Sequence, residues 1–458
     1  MLLSSSRAGP GGFGLRRRVV LGPSPTAVFQ DSVEESPHVF QKTALPNGLR
    51  IVTASMSHTR SVAISVFVGA GSRYETDAEA GISHFVEHML FKGTERRPTP
   101  KEISEVIEGV GGVLNGATDR EMTVYWCKVA RPHFPMALDV LLDALYHSRF
   151  DSAEVEKERQ VIIEELNAVA DSPADLVDVL IDEAVWPGHP LGRDIAGTKE
   201  TVSAITRPML LGYLARQYPP NNVVIAVAGN VTHEEVVSLV QQELREVPAG
   251  QPTAWYPVGE GNAAPRIRLA TRRTEQAHVC LALPGLSSRH PDRYALDMLN
   301  VVLGEGMSSR LFLELREHRG LAYDVHSYTT HLLDCGTVTV YAGVDPKRVD
   351  AALGAVMEEL QRMQDGLAEE DLRKAKELSK GRLLLRMEDT RTVASWIGGQ
   401  ELLMGEVLTP EDVVAAIDAV TPEDTVRVAR QLFVPERLTL AVVGPFKSTR
   451  RFERVLGA

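Results

Sequence analysis

The chain has 458 residues, of which 44% are apolar and 24% are charged, and its formal net charge is −12. This length allows two or more domains, each large enough to bury its own core. The negative charge argues against nucleic acid as a partner, because binding to a phosphate backbone depends on lysine and arginine. Three cysteines are too few for a disulfide framework, which indicates a reducing compartment. No apolar run approaches the roughly 18 residues of a membrane span.

The first 38 residues differ in composition from the rest of the chain. They are rich in Gly, Ser, Pro and Arg and contain no acidic residue before Asp31. Proline and glycine interrupt the apolar stretches, so a secretory signal is not predicted. We expect a flexible basic leader over 1–38, either a disordered tail or a misassigned start, in a cytoplasmic protein. The alternative is an organelle transit peptide, which is also basic and poor in acids, and the location would then be the mitochondrial matrix.

The elements that follow are predicted from their periodicity. Residues 47–70 indicate two strands that form a hairpin, split by the polar SHTR, and the stretch after Ala80 is helical. The next predicted elements are a helix that leads through Gly-Gly into a strand, two long helices and a late strand, at 103–128, 132–147, 151–170 and 221–230. Helices combined with hairpin-like strand pairs predict an α+β fold, with helices packed on a largely antiparallel sheet.

The second half of the chain repeats the first. Residues 248–265 are dense in Pro, Gly and Ala, which predicts a linker. Two segments before the linker are similar to two segments after it at an offset of about 215 residues, namely 204–230 with 419–445 and 82–93 with 295–306. We therefore expect two copies of one fold, in an N-terminal domain over 39–247 and a C-terminal domain over 266–458.

The run GISHFVEHMLFKG contains the pattern H-x-x-E-H at 84–88. On a helix, His84, Glu87 and His88 share one face, while the other sides are apolar, as in a buried helix. Two imidazoles one turn apart can bind one zinc ion, and a nearby carboxylate can take a proton from the bound water. This is the inverted zinc-protease motif. The alternative is a pair of core histidines held by ordinary hydrogen bonds. In the second copy, the aligned residues Asp297, Asn300 and Val301 lack this pattern.

A catalytic zinc site needs a third protein ligand, and the helix SAEVEKERQVIIEELNAV at 152–169 offers candidates. Glu158 and Glu165 lie two turns apart, at the edge of an apolar seam that contains Val155 and Ile162. Lys157, Gln160 and Glu164 point elsewhere. The alternative is that both carboxylates form ion pairs or reach solvent.

These motifs resemble the pitrilysin or insulinase peptidases, family M16. In that family a glutamate ligand follows H-x-x-E-H after about 76 residues, and the same interval separates His88 from Glu165 here. The resemblance implies that His84, His88 and Glu165 bind one Zn²⁺ per chain and that Glu87 is the general base. It also implies that Glu158, seven residues before Glu165, supports catalysis from outside the ligand shell.

Two further segments resemble the family. GGVLNGATDREMTVYW (111–126) is similar to an edge strand that pairs with extended substrate, in which Asn115 would hold a substrate carbonyl and Gly116 replaces the usual alanine. GMSSRLFLELREHRGLAYDVHS (306–327) is similar to the family's R-x6-Y segment, in which Arg316 would bind a substrate carbonyl or its oxyanion and the Tyr323 hydroxyl would assist. For 111–126, the alternative is a turn and an ordinary strand. For the second segment, the alternative is that Arg316 forms a surface ion pair and Tyr323 is a core aromatic residue.

The resemblance, which covers roughly residues 40–450, implies the α+β fold of LuxS/M16-like metalloproteases. It also implies a zinc metalloendopeptidase that hydrolyses unfolded peptides or presequence-like segments through a metal-activated water. Members of the short, two-domain branch pair into dimers, so we expect a homodimer, or a heterodimer with a related subunit. A non-catalytic structural or regulatory subunit is the alternative function, and a metallohydrolase with non-peptide substrates is a third.

Overall fold

The computed structural model describes residues 40–244, 247–259 and 266–456. The predicted basic leader, 1–38, lies outside the described residues, as does the end of the predicted linker, 260–265. The described part of the linker, 248–259, contains neither helix nor strand.

The first half of the described chain builds a six-stranded sheet. Its strands are β1 (Phe40–Ala44), β2 (Arg50–Ser55), β3 (Ser61–Val68), β4 (Val113–Thr118), β5 (Thr123–Ala130) and β6 (Val223–Gly229). Its helices are α1 (Ile82–Leu90), α2 (Pro100–Glu108), α3 (Phe134–His147), α4 (Ser152–Asp171), α5 (Pro173–Val185), α6 (Lys199–Ala204), α7 (Arg207–Gln217) and α8 (His233–Leu244). The strand order is β1-β2-β6-β3-β5-β4. Every pair is antiparallel except β2–β6.

Strands β2 and β3 do not pair with each other, so the hairpin predicted over 47–70 is wrong. Strand β6 lies between them, parallel to β2 and antiparallel to β3. All seven residues of β6 are buried, and a strand that is apolar on both faces is best accommodated in the interior of a sheet. The connection from β2 to β3 passes over the end of β6, where the N–H of Met56 donates to the carbonyl oxygen of Gly229 at 2.7 Å.

The second half builds a five-stranded sheet. Its strands are β7 (Arg266–Thr271), β8 (Ala277–Pro284), β9 (Ala322–His331), β10 (Gly336–Val344) and β11 (Thr439–Gly444). Its helices are α9 (Arg293–Gly304), α10 (Val349–Met363), α11 (Glu369–Arg386), α12 (Thr390–Met404), α13 (Pro410–Ala419), α14 (Pro422–Leu432) and α15 (Arg450–Leu456), with a π-helix at Phe312–His318. The strand order is β7-β11-β8-β10-β9, and only β7–β11 is parallel.

The two sheets follow the same path. If β1 is set aside, the order β2-β6-β3-β5-β4 of the first sheet corresponds strand for strand to β7-β11-β8-β10-β9 of the second. Helix α1 follows β3 just as α9 follows β8. The predicted α+β fold is therefore confirmed, and each largely antiparallel sheet also contains one parallel pair.

Alternate residues of the central strands point into two different cores, as the period of a strand requires. In β3, Ile64 and Val66 belong to a core that the first-half helices α1 and α3 share, whereas Phe67 belongs to a smaller core on the opposite face. The sheet thus needs apolar cover on both faces.

Each half supplies the cover for the second face of the other sheet. Helix α12, from the second half, packs on β2, β3 and β6 through Ala394 and Ile397. Helix α5, from the first half, packs on β7, β8 and β11 through Val177 and Ile181. The two halves therefore exchange helices rather than meeting at a single flat surface.

No helix in the described parts of the chain combines the length and the apolar composition that crossing a bilayer requires.

Candidate active site

Helix α1 is anchored at its N-terminus by a buried carboxylate. The φ of Gly81 before the helix is +92°, in the left-handed region that favours glycine. The carboxylate of Glu75 accepts hydrogen bonds from the backbone N–H groups of Gly81 and Ser83, each at 2.9 Å. Burial raises the pKa of Glu75 in spite of these bonds. The carboxylate satisfies N–H groups that have no partner within the helix, so it fixes where α1 begins.

The polar face predicted for α1 is its solvent-facing side. Six of its nine residues are buried, and the three that are only partly buried are His84, Glu87 and His88. Helix α4 packs beside α1 and brings two carboxylates toward this face, those of Glu158 and Glu165.

His84, His88 and Glu165 form the one group of possible metal ligands found within the described ranges, and their ligand atoms all lie within 4.8 Å of one another. The two Nε2 atoms are 3.2 Å apart. The Oε2 atom of Glu165 lies 3.8 Å from Nε2 of His84 and 3.7 Å from Nε2 of His88. In tetrahedral zinc sites, bonds of 2.0–2.1 Å place ligand atoms about 3.3 Å apart. The spacing of these three donors therefore fits a zinc ion.

The chemistry of the donors also fits. Burial and the neighbouring His88 lower the pKa of His84 to about 4, so its imidazole is neutral and its lone pair is free to bind a cation. Its Nδ1 atom is buried without a hydrogen-bond partner, whereas the Nε2 atom faces the other two donors. Two histidines and one carboxylate are a donor set of catalytic zinc sites, in which the fourth position stays open.

Glu158 orients one predicted ligand instead of joining the donor group. Its Oε2 atom accepts a hydrogen bond from Nδ1 of His88 at 3.1 Å, which leaves Nε2 of His88 directed at the other donors. Its Oε1 atom forms an ion pair with Nζ of Lys92 at 2.7 Å. Burial raises the pKa of Glu158, but these two hydrogen bonds outweigh burial, and the net shift is downward. Glu158 therefore stays ionised and adds negative charge next to the donors.

Glu87 lies beside the donors on the same helix face. Its Oε2 atom accepts a hydrogen bond from Oγ1 of Thr118 at 2.7 Å. Burial raises the pKa of Glu87, although the Thr118 hydrogen bond opposes this shift. A carboxylate whose pKa is raised toward neutrality is suited to take up and return a proton.

Strand β4 forms the outer edge of the first sheet, next to Glu87. Asn115 is exposed on this edge, and its Oδ1 atom accepts a hydrogen bond from the N–H of Gly116 at 2.8 Å. A Cβ atom at position 116 would lie 2.9 Å from Oε1 of Glu87. Glycine at this position therefore leaves room for the Glu87 carboxylate.

Arg316 and Tyr323 lie together in the second half. The Arg316 guanidinium lies 4.9 Å from the centres of the Tyr323 and Phe312 rings and donates to the backbone oxygen of Tyr323 at 2.9 Å. The Tyr323 residue is 73% exposed. Within the described chain, no hydrogen bond, ion pair or ring contact joins this pair to the histidines of α1. The structure thus brings seven of the nine predicted site residues together around α1 and β4 and places Arg316 and Tyr323 as a separate pair.

Comparison with known proteins relates the chain to a family. Residues 50–199 match the family model described as insulinase (peptidase family M16), and residues 204–379 match the model of the peptidase M16 inactive domain. An uncharacterized zinc protease of Streptomyces coelicolor is 39% identical over 414 residues, which cover 89% of this chain and 90% of that relative. The chain belongs to peptidase family M16. The resemblance inferred from the motifs is thereby confirmed.

Other M16 proteins support the same assignment. The uncharacterized zinc protease YmxG of Bacillus subtilis is 39% identical over 400 residues, which cover 87% of this chain and 97% of that relative. A protease from Helicobacter pylori has a crystal structure that matches with a TM-score of 0.84 at 23% identity, covering 89% of this chain and 99% of that chain. A putative M16-like peptidase from Alicyclobacillus acidocaldarius matches with a TM-score of 0.79 at 20% identity, covering 90% and 99%. These two structures support the fold alone.

The M16 inactive domain has a polar site of a different kind on α9. Oδ1 of Asp297 lies 3.0 Å from Nε2 of His331, and Oδ1 of Asn300 accepts a hydrogen bond from Oγ of Ser327 at 2.7 Å. These groups satisfy one another directly. The second copy therefore keeps the helix and its packing. At the positions that correspond to the first histidine and the glutamate of the α1 motif, its side chains form hydrogen bonds with other residues of the protein.

Three further residues, Lys92, Glu75 and Thr118, contact the candidate site or the helix that carries it and were not among the predicted site residues. Lys92 follows the end of α1 at Leu90, four residues after His88, so its nearness to the motif was the one signal that the sequence offered. Glu75 and Thr118 gave no such signal, because Glu75 lies in the segment before α1 and Thr118 lies on strand β4. Only the fold shows that these two residues belong to the site.

Proposed function

We propose that this M16 protein is a zinc-dependent metalloendopeptidase that hydrolyses peptide bonds in unfolded peptides or presequence-like segments. The observation that carries the proposal is the convergence of three donor atoms, from His84, His88 and Glu165, beside a carboxylate that is not one of them, Glu87. The names of the bacterial relatives as zinc proteases support zinc as the metal.

His84, His88 and Glu165 would hold the metal. When bound, zinc acts as a Lewis acid that polarises a carbonyl and makes water a stronger acid. Glu87 takes the proton from the attacking water and returns it to the leaving amine, a role that its raised pKa favours. Thr118 holds the Glu87 carboxylate at one oxygen, and Glu158 orients His88.

Strand β4 supports a polypeptide substrate. Its outer edge has no neighbouring strand in the described sheet, and an extended peptide that pairs with it would run past Glu87. Main-chain hydrogen bonds along such an edge tolerate many side chains, which suits unfolded segments. Asn115 would hold a substrate carbonyl, and Gly116 would present its backbone once its N–H is released from Asn115.

The remaining assignments follow from the family resemblance. Arg316 and Tyr323 would complete the site from the second half by binding a substrate carbonyl or its developing oxyanion. We propose a homodimer, or a heterodimer with a related subunit, in the cytoplasm. The quoted relatives come from bacteria, which gives no support to the mitochondrial alternative.

The test is digestion of a mixed peptide pool by the purified chain, with the products identified by mass spectrometry. We expect cleavage that a chelator abolishes and zinc restores. Glu87→Gln should lower kcat by at least a hundredfold, because loss of general acid–base catalysis typically costs that much. Glu164→Gln is the matched control, since Glu164 is an exposed neighbour of Glu165 on the same helix.

Two outcomes would contradict the proposal. Activity of Glu87→Gln within a few-fold of the wild type would exclude Glu87 as the base. A chain that binds zinc but cleaves no peptide would favour the alternative of a non-catalytic subunit of an M16 complex.

A further inference from the structure

Two of the four edge strands in the described sheets, β4 of the first sheet and β9 of the second, end at one place. Strand β4 runs into the turn 119–122, and strand β9 runs into the turn 332–335. The two turns touch, because the N–H of Leu333 donates to the carboxylate of Glu121 at 3.0 and 3.2 Å. The C-terminal ends of β4 and β9 therefore lie close together.

A buried arginine holds this junction together. Arg73 is 0% exposed, and its guanidinium binds a carboxylate from each turn, Glu121 and Asp334. Its Nε atom donates at 2.9 Å to the backbone oxygen of Tyr256, in the segment between the halves. The ring of Trp255 lies 4.2 Å from the guanidinium carbon. Arg73 with Glu121 and Asp334 is called the clamp below.

The chemistry of the clamp requires arginine. A guanidinium is a planar fork that can donate to three acceptors at once, here the carboxylates of Glu121 and Asp334 and the backbone oxygen of Tyr256. It can also stack on an aromatic ring. A lysine has one ammonium centre and cannot reach all three. The backbone takes part as well, since the N–H of Arg73 donates to the oxygen of Arg120 at 2.9 Å.

The clamp lies close to the candidate substrate edge. Thr118, which holds Glu87, is the last residue of β4 and comes three residues before Glu121. Strand β9 begins with Ala322 and Tyr323 and ends just before Leu332 in the second turn. A shift of the first turn would therefore move the C-terminal end of the β4 edge relative to the second half.

We propose that Arg73 is a positioning residue that joins the C-terminal ends of β4 and β9, so that a peptide extended on β4 is presented to the second half of the same chain. This role rests on the proposed function, in which β4 binds the substrate. The clamp would act through substrate binding and would leave the proton transfer at Glu87 unaltered.

The test weakens the clamp without removing its buried cation. Glu121→Gln and Asp334→Asn keep a hydrogen-bond acceptor but remove one charge, and the Asp334 side chain is 23% exposed, so this second variant is the milder one. Lys42→Met is the control, because Lys42 forms an ion pair with Glu401 between the halves at the opposite edge of the first sheet, at 2.7 Å.

Four quantities are measured on the full chain. KM and kcat are determined for a fluorogenic peptide of about ten residues, which extends over about 33 Å. The Kd of that peptide is measured by fluorescence anisotropy, and hydrogen exchange is followed in the two turns. In both clamp variants we expect KM and Kd to rise about tenfold with kcat within about threefold, the pattern of lost ground-state binding. Exchange at 119–122 and 332–335 should become faster. Lys42→Met should leave all four quantities unchanged.

Unchanged KM and Kd in the clamp variants, even with a lower Tm and faster exchange, would show that the clamp only stabilises the fold and would overturn the proposal. If Glu121→Gln does not fold, Asp334→Asn decides by itself. If the wild type cleaves no peptide, the proposed function fails, whereas the Kd of the same peptide still tests the clamp.

Discussion

Glu158 shows how one side chain contributes to a metal centre without binding the metal. It lies on α4 seven residues before Glu165, and it contacts Nδ1 of His88 while Glu165 faces Nε2. A hydrogen bond of this type fixes the tautomer and the direction of a histidine ligand. The position of Glu158 thus agrees with the supporting role that the resemblance implied, which stays a proposal.

Glu158→Gln should weaken zinc binding by about 10- to 100-fold, because the variant loses the charge that orients His88 and pairs with Lys92. The measurement is competition with a metal-binding dye of known affinity. Glu164→Gln, on the exposed side of the same helix, should bind zinc as the wild type does. Equal affinities in the two variants would show that Glu158 does not contribute to the metal site.

His331 should make stability depend on pH. Its Nδ1 atom faces the backbone oxygen of Leu286 at 2.6 Å, and Nε2 faces Asp297 at 3.0 Å, so both nitrogens can donate only when the imidazole is protonated. Burial lowers the pKa of His331, but these bonds and the Asp297 charge outweigh burial and raise it. The resulting stabilisation is complete below the unfolded-state pKa of about 6.5 and is lost as the pH rises through the folded-state pKa.

His331→Gln should therefore destabilise the protein more at pH 6 than at pH 9, as measured by urea unfolding at both values. The exposed His318, whose side chain is 67% accessible, provides the control His318→Gln, with little effect at either pH. A loss of stability in His331→Gln that is the same at pH 6 and pH 9 would contradict the assignment of a protonated His331.

At the scale of elements, the exchanged helices make close contacts that their own sequences do not reveal. Gly398 and Gly399 are neighbours in α12, and a Cβ atom at Gly398 would lie 2.3 Å from the Phe67 ring and 2.6 Å from Cβ of Ala226. At Gly399 the nearest atom would be 4.0 Å away. Of these two glycines, only Gly398 lies tightly against the first sheet.

Gly398→Ala should destabilise the fold by about 1–3 kcal/mol, because the extra methyl group overpacks a tight contact. Gly399→Ala, its matched control, should be neutral or more stable by up to about 1 kcal/mol, since alanine is the better helix former. Thermal and urea unfolding of the two variants measure the difference. Equal stabilities would contradict the close approach of α12 to Phe67.

For the whole molecule, the helix exchange predicts that neither half folds well by itself. Residues 40–247 without α12 would expose the apolar face of the first sheet, and residues 266–456 without α5 would expose that of the second. Expressed singly, each piece should lack a cooperative unfolding transition and bind a hydrophobic dye. Co-expression, the control, should give a complex that purifies as one species. A sharp, independent transition in either piece alone would contradict this prediction.

The parts of the site that follow from regular spacing could be predicted from the sequence. One helical turn sets His84 and His88 on a common face, and two turns bring Glu158 and Glu165 to one side of α4. The family resemblance then supplied the number of residues between His88 on α1 and Glu165 on α4.

The hairpin predicted over 47–70 was wrong, because the pairing of its strands depends on a distant part of the chain. Strand β6 lies between β2 and β3 and keeps them apart. It comes roughly 150 residues after β3, so the local pattern over 47–70 carries no information about its position.

The sequence by itself determined the α+β class, the internal repeat, the helix with its two histidines and the family, because each depends on periodicity or on a motif within one segment. The tertiary structure alone decided that the halves exchange α5 and α12, that Thr118 contacts Glu87 on α1, and that Arg73 joins the turns at the ends of β4 and β9. These contacts bring together residues that are far apart along the chain. They exist only once burial of apolar surface has folded both sheets, so no spacing within a single segment could predict them.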